Sequence, residues 1–217
     1  MYFSHATISI VQYIIGIDEV GRGPLAGPVV VAAVVLPRGF RLPKEMGALK
    51  DSKQLSKQRR EVWCEYFITC PEVSFSVSRV YPNRIDRLNI SGAANQAALR
   101  AYQKLLSREH IHSSHRVILD GGLYLGTKKK SFEYGAKTII KGDEKHPPIM
   151  IASIIAKVVR DRYMTKLAKK YPEYGFEEHK GYGTREHRKV LKKYGPTEAH
   201  RLTFLSKYPT IWLIKES

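Results

Sequence analysis

Short β-branched apolar runs alternate along this chain with longer segments in which apolar residues return every three or four positions. Ile14 to Asp18 and Val29 to Leu36 are nearly continuous apolar stretches, which predicts two strands buried on both faces. Ser56 to Phe67 opens on a serine suited to capping and predicts an amphipathic helix. Val73 to Val80 alternates as a strand does. Ser91 to Ser107 places Ala94, Ala97, Ala98, Ala101 and Leu105 at helical spacing, the pattern of a helix lying close on a sheet. Val117 to Leu119 and Thr138 to Ile140 are further strands, each stopped by a glycine-containing turn. Ile149 to Leu167 predicts a long helix whose apolar stripe includes Ile151, Ile154, Ile155 and Val158. Ser153, Lys157, Arg160 and Asp161 fall on its other side. From Tyr171 onward Gly, Pro, Tyr, His and Lys recur, with one basic helix near Thr184 to Tyr194. The expected class is α/β, a sheet domain over 1–170 with a basic helical C-terminal part over 171–217.

Between the first two strands lies GIDEVGRGPLAGP, and it raises the question of chemistry. Asp18 and Glu19 close the first strand, Asp120 closes the fourth, and Asp143 follows the fifth by one turn. In an α/β sheet, groups just beyond strand ends converge on the crevice where ligands bind. Each aspartate alone also suits an ordinary turn or cap. Taken together, four gathered carboxylates would repel one another and take up protons unless cations neutralised them. Oxygen-only ligands suit Mg²⁺ or Mn²⁺, and a two-metal carboxylate site supports in-line displacement at phosphorus.

Charge sharpens this picture. Against 20 Asp and Glu stand 37 Lys and Arg among 217 residues, a formal charge of +17. Such an excess points to a polyanionic partner, nucleic acid before a membrane surface. An acidic pocket on a basic protein repels phosphate until bound metal inverts the local charge. Gly21, Gly23 and Gly27 miss the dinucleotide and P-loop spacings, but they allow backbone amides near a sugar or phosphate, with Arg22 as a fixed donor. Lys128 to Lys130 and Lys189 to Lys193 are basic faces that either stay solvated or touch phosphate. Cys64 and Cys70 have no nearby Cys or His pair and are expected as free thiols. No apolar run approaches membrane-spanning length, and the first residues lack a basic region and cleavage site, so a cytoplasmic protein without a membrane partner is expected.

IDEVGRGPLAGPVVVAAVVL closely resembles the opening of bacterial ribonuclease HII, the type 2 ribonuclease H. The resemblance continues through DSKQLSKQRRE, LNISGAANQAAL, VILDG, IIKGDEKHPPIMIASIIAKVVRDRYM and YPEYGFEEHKGYGTREHRKVLKKYGPTEAHRLTF, in order over nearly the whole chain. It implies an RNase H-like mixed sheet flanked by helices, acting on RNA/DNA hybrids and on duplex DNA containing ribonucleotides. Cleavage would be endonucleolytic, 5′ of the ribonucleotide, leaving 5′-phosphate and 3′-hydroxyl. Two divalent ions, Mg²⁺ or Mn²⁺, would be held by Asp18, Glu19, Asp120 and Asp143, the family's catalytic acids. The resemblance assigns 2′-hydroxyl sensing to Gly21, Arg22 and Gly23, the RNA–DNA junction to Tyr182, and phosphate contacts to Lys53, Ser153 and Lys157. It implies a monomer.

Arg22 separates the chain from the related ribonuclease HIII, which typically has lysine there and an additional N-terminal domain. Ser91-Gly92 departs from the family, which usually carries bulkier apolar residues at these positions. His146, His179, His187 and His200 are expected at the surface or on phosphate rather than on metal. Asp161 is expected to pair with a nearby arginine of its helix, Arg160 and Arg162 among the candidates, with a place as a fifth acid at the site as the alternative. A non-catalytic RNA-binding module would explain the charge but leave the four acids without a purpose.

Overall fold

The computed structural model describes residues 13–46, 52, 54–109 and 115–206. Lys53, expected at phosphate, lies outside them. β1 (Tyr13–Val20) and β2 (Val29–Pro37) pair antiparallel, and β3 (Ser74–Val80) pairs antiparallel with β2. β4 (His115–Asp120) lies parallel to β1, and β5 (Lys137–Ile139) parallel to β4. The sheet order is therefore β3-β2-β1-β4-β5. Every residue of β2 from Val29 to Leu36 is buried, as its unbroken apolar run requires. Its side chains alternate between two layers. Val29, Val31, Ala33 and Val35 face α2 (Pro82–Glu109), whose Ala93, Ala94, Ala97, Ala98 and Ala101 admit a close approach. Val30, Ala32, Val34 and Leu36 face α1 (Lys57–Thr69) and α4 (Pro147–Lys170), through Trp63, Phe67, Ile151, Ile154 and Val158.

Local sequence sets the element ends. Ser56 caps α1, its hydroxyl accepting from Arg59 N–H at 3.2 Å. α2 starts nine residues before the expected Ser91 and is two helices joined at Asn89 (φ 58°, ψ 168°). Asn89 Oδ1 accepts from Gly92 N–H at 2.9 Å and caps the second helix. The basic run at 128 is itself a short helix, α3 (Lys128–Glu133), capped by Thr127.

Gly16, in mid-β1, fixes the spacing of strand and helix. A methyl group there would stand 2.3 Å from the Pro148 carbonyl carbon, so the start of α4 rests directly on the strand that carries Asp18. Beyond α4, the α5 (Phe176–His179), α6 (Arg185–Tyr194) and α7 (Leu202–Leu205) helices build a third cluster. There Phe176, Tyr174, Leu191 and Leu205 pack on Met164 and Ala168 of α4, and on Leu25 and Ala26 of the glycine turn.

Candidate active site

The parallel register of β1 and β4 sets Ile17 beside Leu119, so Asp18 and Asp120 follow side by side at neighbouring strand ends. Asp18 is 4% exposed. Its Oδ1 accepts from Glu19 N–H at 2.7 Å. Asp120 Oδ1 accepts from Gly142 N–H at 2.7 Å and Asp143 N–H at 3.3 Å, which ties the turn after β5 to the end of β4. A cleft of about 300 Å³ is lined by Asp18, Glu19, Asp120, the turn 20–23, Ser52, Ser153, Lys157 and Tyr182. Asp143 is buried and is joined to Asp120 through its backbone, but it does not line this cleft. Among the described residues no three His, Cys, Asp or Glu side chains stand as a ready metal-holding group. Asp120 turns to backbone amides, and Glu19 Oε1 to Arg22 Nη1 at 3.3 Å.

Burial, then the charges of Glu19 and Asp120, push the Asp18 carboxyl well above the usual carboxylate range, and a hydrogen bond from Ser153 opposes them. Burial also raises Glu19, against the pull of Arg22. Glu19 Oε2 is buried with no hydrogen-bond partner among the described residues. The donor set thus fits a hard divalent cation: it is all oxygen, one lone oxygen is unspent, and burial raises both Asp18 and Glu19 even though Arg22 pairs with Glu19.

The glycine turn is held from behind by two arginines. Arg201 Nη2 donates to Gly21 O at 2.6 Å, Nη1 to Arg22 O at 2.9 Å and Nε to Gly27 O at 3.0 Å. Arg160 donates to Pro28 O, Ala26 O and Lys180 O at 3.0–3.1 Å. Both are fully buried, and among the described residues neither has a carboxylate hydrogen-bond partner. Burial lowers both guanidinium pKa values, Arg201 to about 9. Gly21 (φ 91°) must be glycine, since a Cβ would sit 2.3 Å from Arg160 Nε. Arg22, in front, reaches Ser91 Oγ at 3.0 Å, so the serine that departs from the family pattern is a partner of the turn.

Tyr182 stands at the cleft rim, 43% exposed, its ring 3.8 Å from where a Gly23 side chain would begin. Ser153 is buried and shares a 2.8 Å hydrogen bond with Ser52, a residue that sequence reasoning did not single out although it lies in the quoted DSKQLSK run. Lys157 pairs with Asp161 at 2.8 Å, not the expected arginine. Residues one apart on a helix diverge by about 100°, whereas i and i+4 share a face. Arg160 turns to carbonyls, and Arg162 pairs with Glu61 at 2.5 Å. A larger concavity of about 710 Å³ lies between the start of α2 and residues 196–202. Its Asp86 is spent accepting from Leu202 and Thr203 N–H at the head of α7.

The ribonuclease HII family model matches residues 15–208. The chain belongs to the ribonuclease HII family. It is 46% identical to the ribonuclease HII of Syntrophobacter fumaroxidans, over 89% of this chain and 76% of that protein. With the ribonuclease HII of Caldicellulosiruptor bescii it shares 43%, over 89% and 87%. Its fold matches the ribonuclease HII of Archaeoglobus fulgidus, solved in complex with PCNA, at a TM-score of 0.71 and 28% identity, over 91% of this chain and 96% of that one. As a ribonuclease HII it is a type 2 ribonuclease H with the RNase H-like mixed sheet. Among its described residues no helix is long and apolar enough to cross a membrane.

Two of the four histidines expected at the surface are core residues. His187 is 0% exposed and His200 2%, and burial pushes their pKa values down to about 4 and about 3. A histidine that folding keeps neutral leaves stability whole above the unfolded pKa of about 6.5 and removes it as pH falls from there toward the folded value. The loss is roughly 1.4 kcal/mol per pH unit for each proton the unfolded chain takes up in excess. The raised carboxyls of Asp18 and Glu19 act in the opposite sense. Urea unfolding of wild type and His200→Asn between pH 7.5 and 5 separates the two, with a steeper acid loss expected in wild type. Parallel profiles would show that His200 titrates normally.

Proposed function

We propose that this ribonuclease HII cuts the RNA strand of RNA/DNA hybrids and cuts 5′ of ribonucleotides embedded in duplex DNA, leaving 5′-phosphate and 3′-hydroxyl. The supporting observation is one cleft that combines Asp18, Glu19 and Asp120 with the Gly21–Gly23 turn and the exposed Tyr182 ring. Asp18, Glu19, Asp120 and, after a small rotation, Asp143 would hold two divalent ions, Mg²⁺ or Mn²⁺. Such ions supply charge neutralisation and Lewis-acid activation during displacement at phosphorus. The chain's own groups bind and orient. Arg22 and the amides around it, pressed forward by Arg201 and Arg160, meet the 2′-hydroxyl and its phosphate. Ser153 and Lys157, on the α4 face that closes the cleft, take a neighbouring phosphate, and Lys53 another. The segment from 171 onward acts as the substrate-binding extension of the sheet domain, since it delivers Tyr182 and Arg201. Cleavage of a duplex with one internal ribonucleotide should require Mg²⁺ or Mn²⁺ and yield those two ends; full activity in EDTA would reject the reading.

In this reading the Tyr182 ring stacks on the sugar just 3′ of the ribonucleotide, where a deoxyribose fits and a 2′-hydroxyl crowds the ring. Stacking contacts of this kind are worth about 1–3 kcal/mol, so Tyr182→Ala should lower junction cleavage roughly tenfold to a hundredfold. Tyr182→Phe should keep most of it. Equal damage by alanine and phenylalanine would show that the hydroxyl, not the ring, makes the contact.

A further inference from the structure

Behind Tyr182 lies a chain of ring nitrogens whose proton positions can be deduced. Thr197 N–H, which can only donate, points at His200 Nδ1 at 3.0 Å. His200 Nδ1 is therefore an acceptor, and in the neutral ring its proton sits on Nε2. That Nε2 faces His187 Nε2 at 3.0 Å, so His187 Nε2 accepts and His187 Nδ1 carries the hydrogen. His187 Nδ1 donates to the Tyr182 carbonyl at 2.9 Å. The direction is fixed from end to end, because the reverse order would set two N–H groups against each other at Thr197.

The same carbonyl accepts Thr184 N–H at 2.8 Å, and Tyr182 N–H donates to His179 O at 2.9 Å. His179 Nδ1 accepts from Gly181 N–H at 3.1 Å, and its ring stacks on His187 at 4.3 Å. Lys180 (φ 50°) and Gly181 (φ 83°) are in the left-handed region just before Tyr182, a conformation that its surroundings must impose.

We propose that His187 and His200 are positioning residues for substrate discrimination, a one-directional pair of neutral imidazoles that ends on the Tyr182 carbonyl and fixes where its ring meets the sugar. This rests on the reading of Tyr182 as the junction contact. A serine or water could satisfy one carbonyl, but only planar rings also pack among Phe176 and Tyr174, with ring centroids 5.1–5.6 Å away. The pair thus links the Tyr182 loop to the apolar core without a charge or a mobile group.

Two measurements on the intact enzyme test this. Long-range proton–nitrogen NMR of histidine-labelled protein at neutral pH should show His187 as the Nδ1–H tautomer and His200 as the Nε2–H tautomer. Either ring doubly protonated, or His200 carrying Nδ1–H, overturns the proposal. In cleavage assays His187→Leu should lower kcat/KM about tenfold at a single embedded ribonucleotide, since small misplacements of binding groups are costly. The loss on an all-RNA hybrid should be smaller. His187→Asn keeps an N–H near the Nδ1 position and should recover most of the junction activity. In a Tyr182→Ala background His187→Leu should cost nothing further. Equal losses on both substrates, or a full additional loss in that background, would show a merely structural role. If Tyr182→Ala itself proves harmless while both tautomers are as stated, the fault lies in the role given to the ring rather than in the proton order, and the positioning proposal falls with it.

Discussion

Asp120→Asn should abolish cleavage, by at least ~10²–10³-fold, while leaving the fold intact and more stable when no divalent cation is present. Asparagine is the informative substitute because Asp120 Oδ1 works as a plain acceptor for Gly142 and Asp143 N–H, and an amide oxygen serves equally well there. What disappears is charge. Asp120 is one of the charges that press Asp18 and Glu19 upward, so its removal relieves two buried carboxylates at once. A relief of about 1 kcal/mol raises Tm by roughly 2–4 °C in a domain of this size. Mg²⁺ or Mn²⁺ should raise the Tm of wild type, because a ligand of the folded state stabilises it by mass action, and should raise the variant less. Measurable turnover by the variant, or an equal metal-induced shift in both proteins, would remove Asp120 from the proposed metal set.

Arg201→Leu should cost at least ~3 kcal/mol of stability together with most of the activity on ribonucleotide-containing duplex. Its guanidinium meets the carbonyls of Gly21, Arg22 and Gly27 in the interior. Leaving a buried acceptor unsatisfied costs about 1–3 kcal/mol, and three are exposed to that loss. Arg201→Lys should recover little, since one ammonium cannot span three carbonyls in the plane that the guanidinium fits. Thermal unfolding gives the first number, with a fall of roughly 6–12 °C expected. Embedded-ribonucleotide cleavage at a temperature where the variant stays folded gives the second. Wild-type cleavage by the folded variant would mean that the turn presents Arg22 without its rear support.

The layers of the fold were legible because β2 is apolar at every position from Val29 to Leu36, a pattern that only a strand covered on both sides tolerates. The neighbourhood of Asp18 and Asp120 was legible from strand ends alone. What the sequence concealed were partnerships with backbone. Arg160 and Arg201 bond to carbonyls, which every residue carries, so no complementary side chain betrays them. His187 and His200 meet across a turn of the chain that brings together residues 13 apart. The kink at Asn89 was hidden too, because a side-chain amide capping the next helix looks in sequence like any polar residue within one.

The clamp behind the glycine turn also orders events during synthesis. All four acids have left the ribosome once residue 143 has emerged, and the strands that carry Asp18 and Asp120 can pair soon afterward. Arg160 emerges soon after them, but the turn beside them lacks the guanidinium that holds Gly21 and Arg22 until Arg201 follows. Under the proposed function, a nascent chain therefore has its acids before the turn that would meet the ribonucleotide is fully braced, and a product that stops short of residue 201 keeps the carboxylates beside a half-held turn.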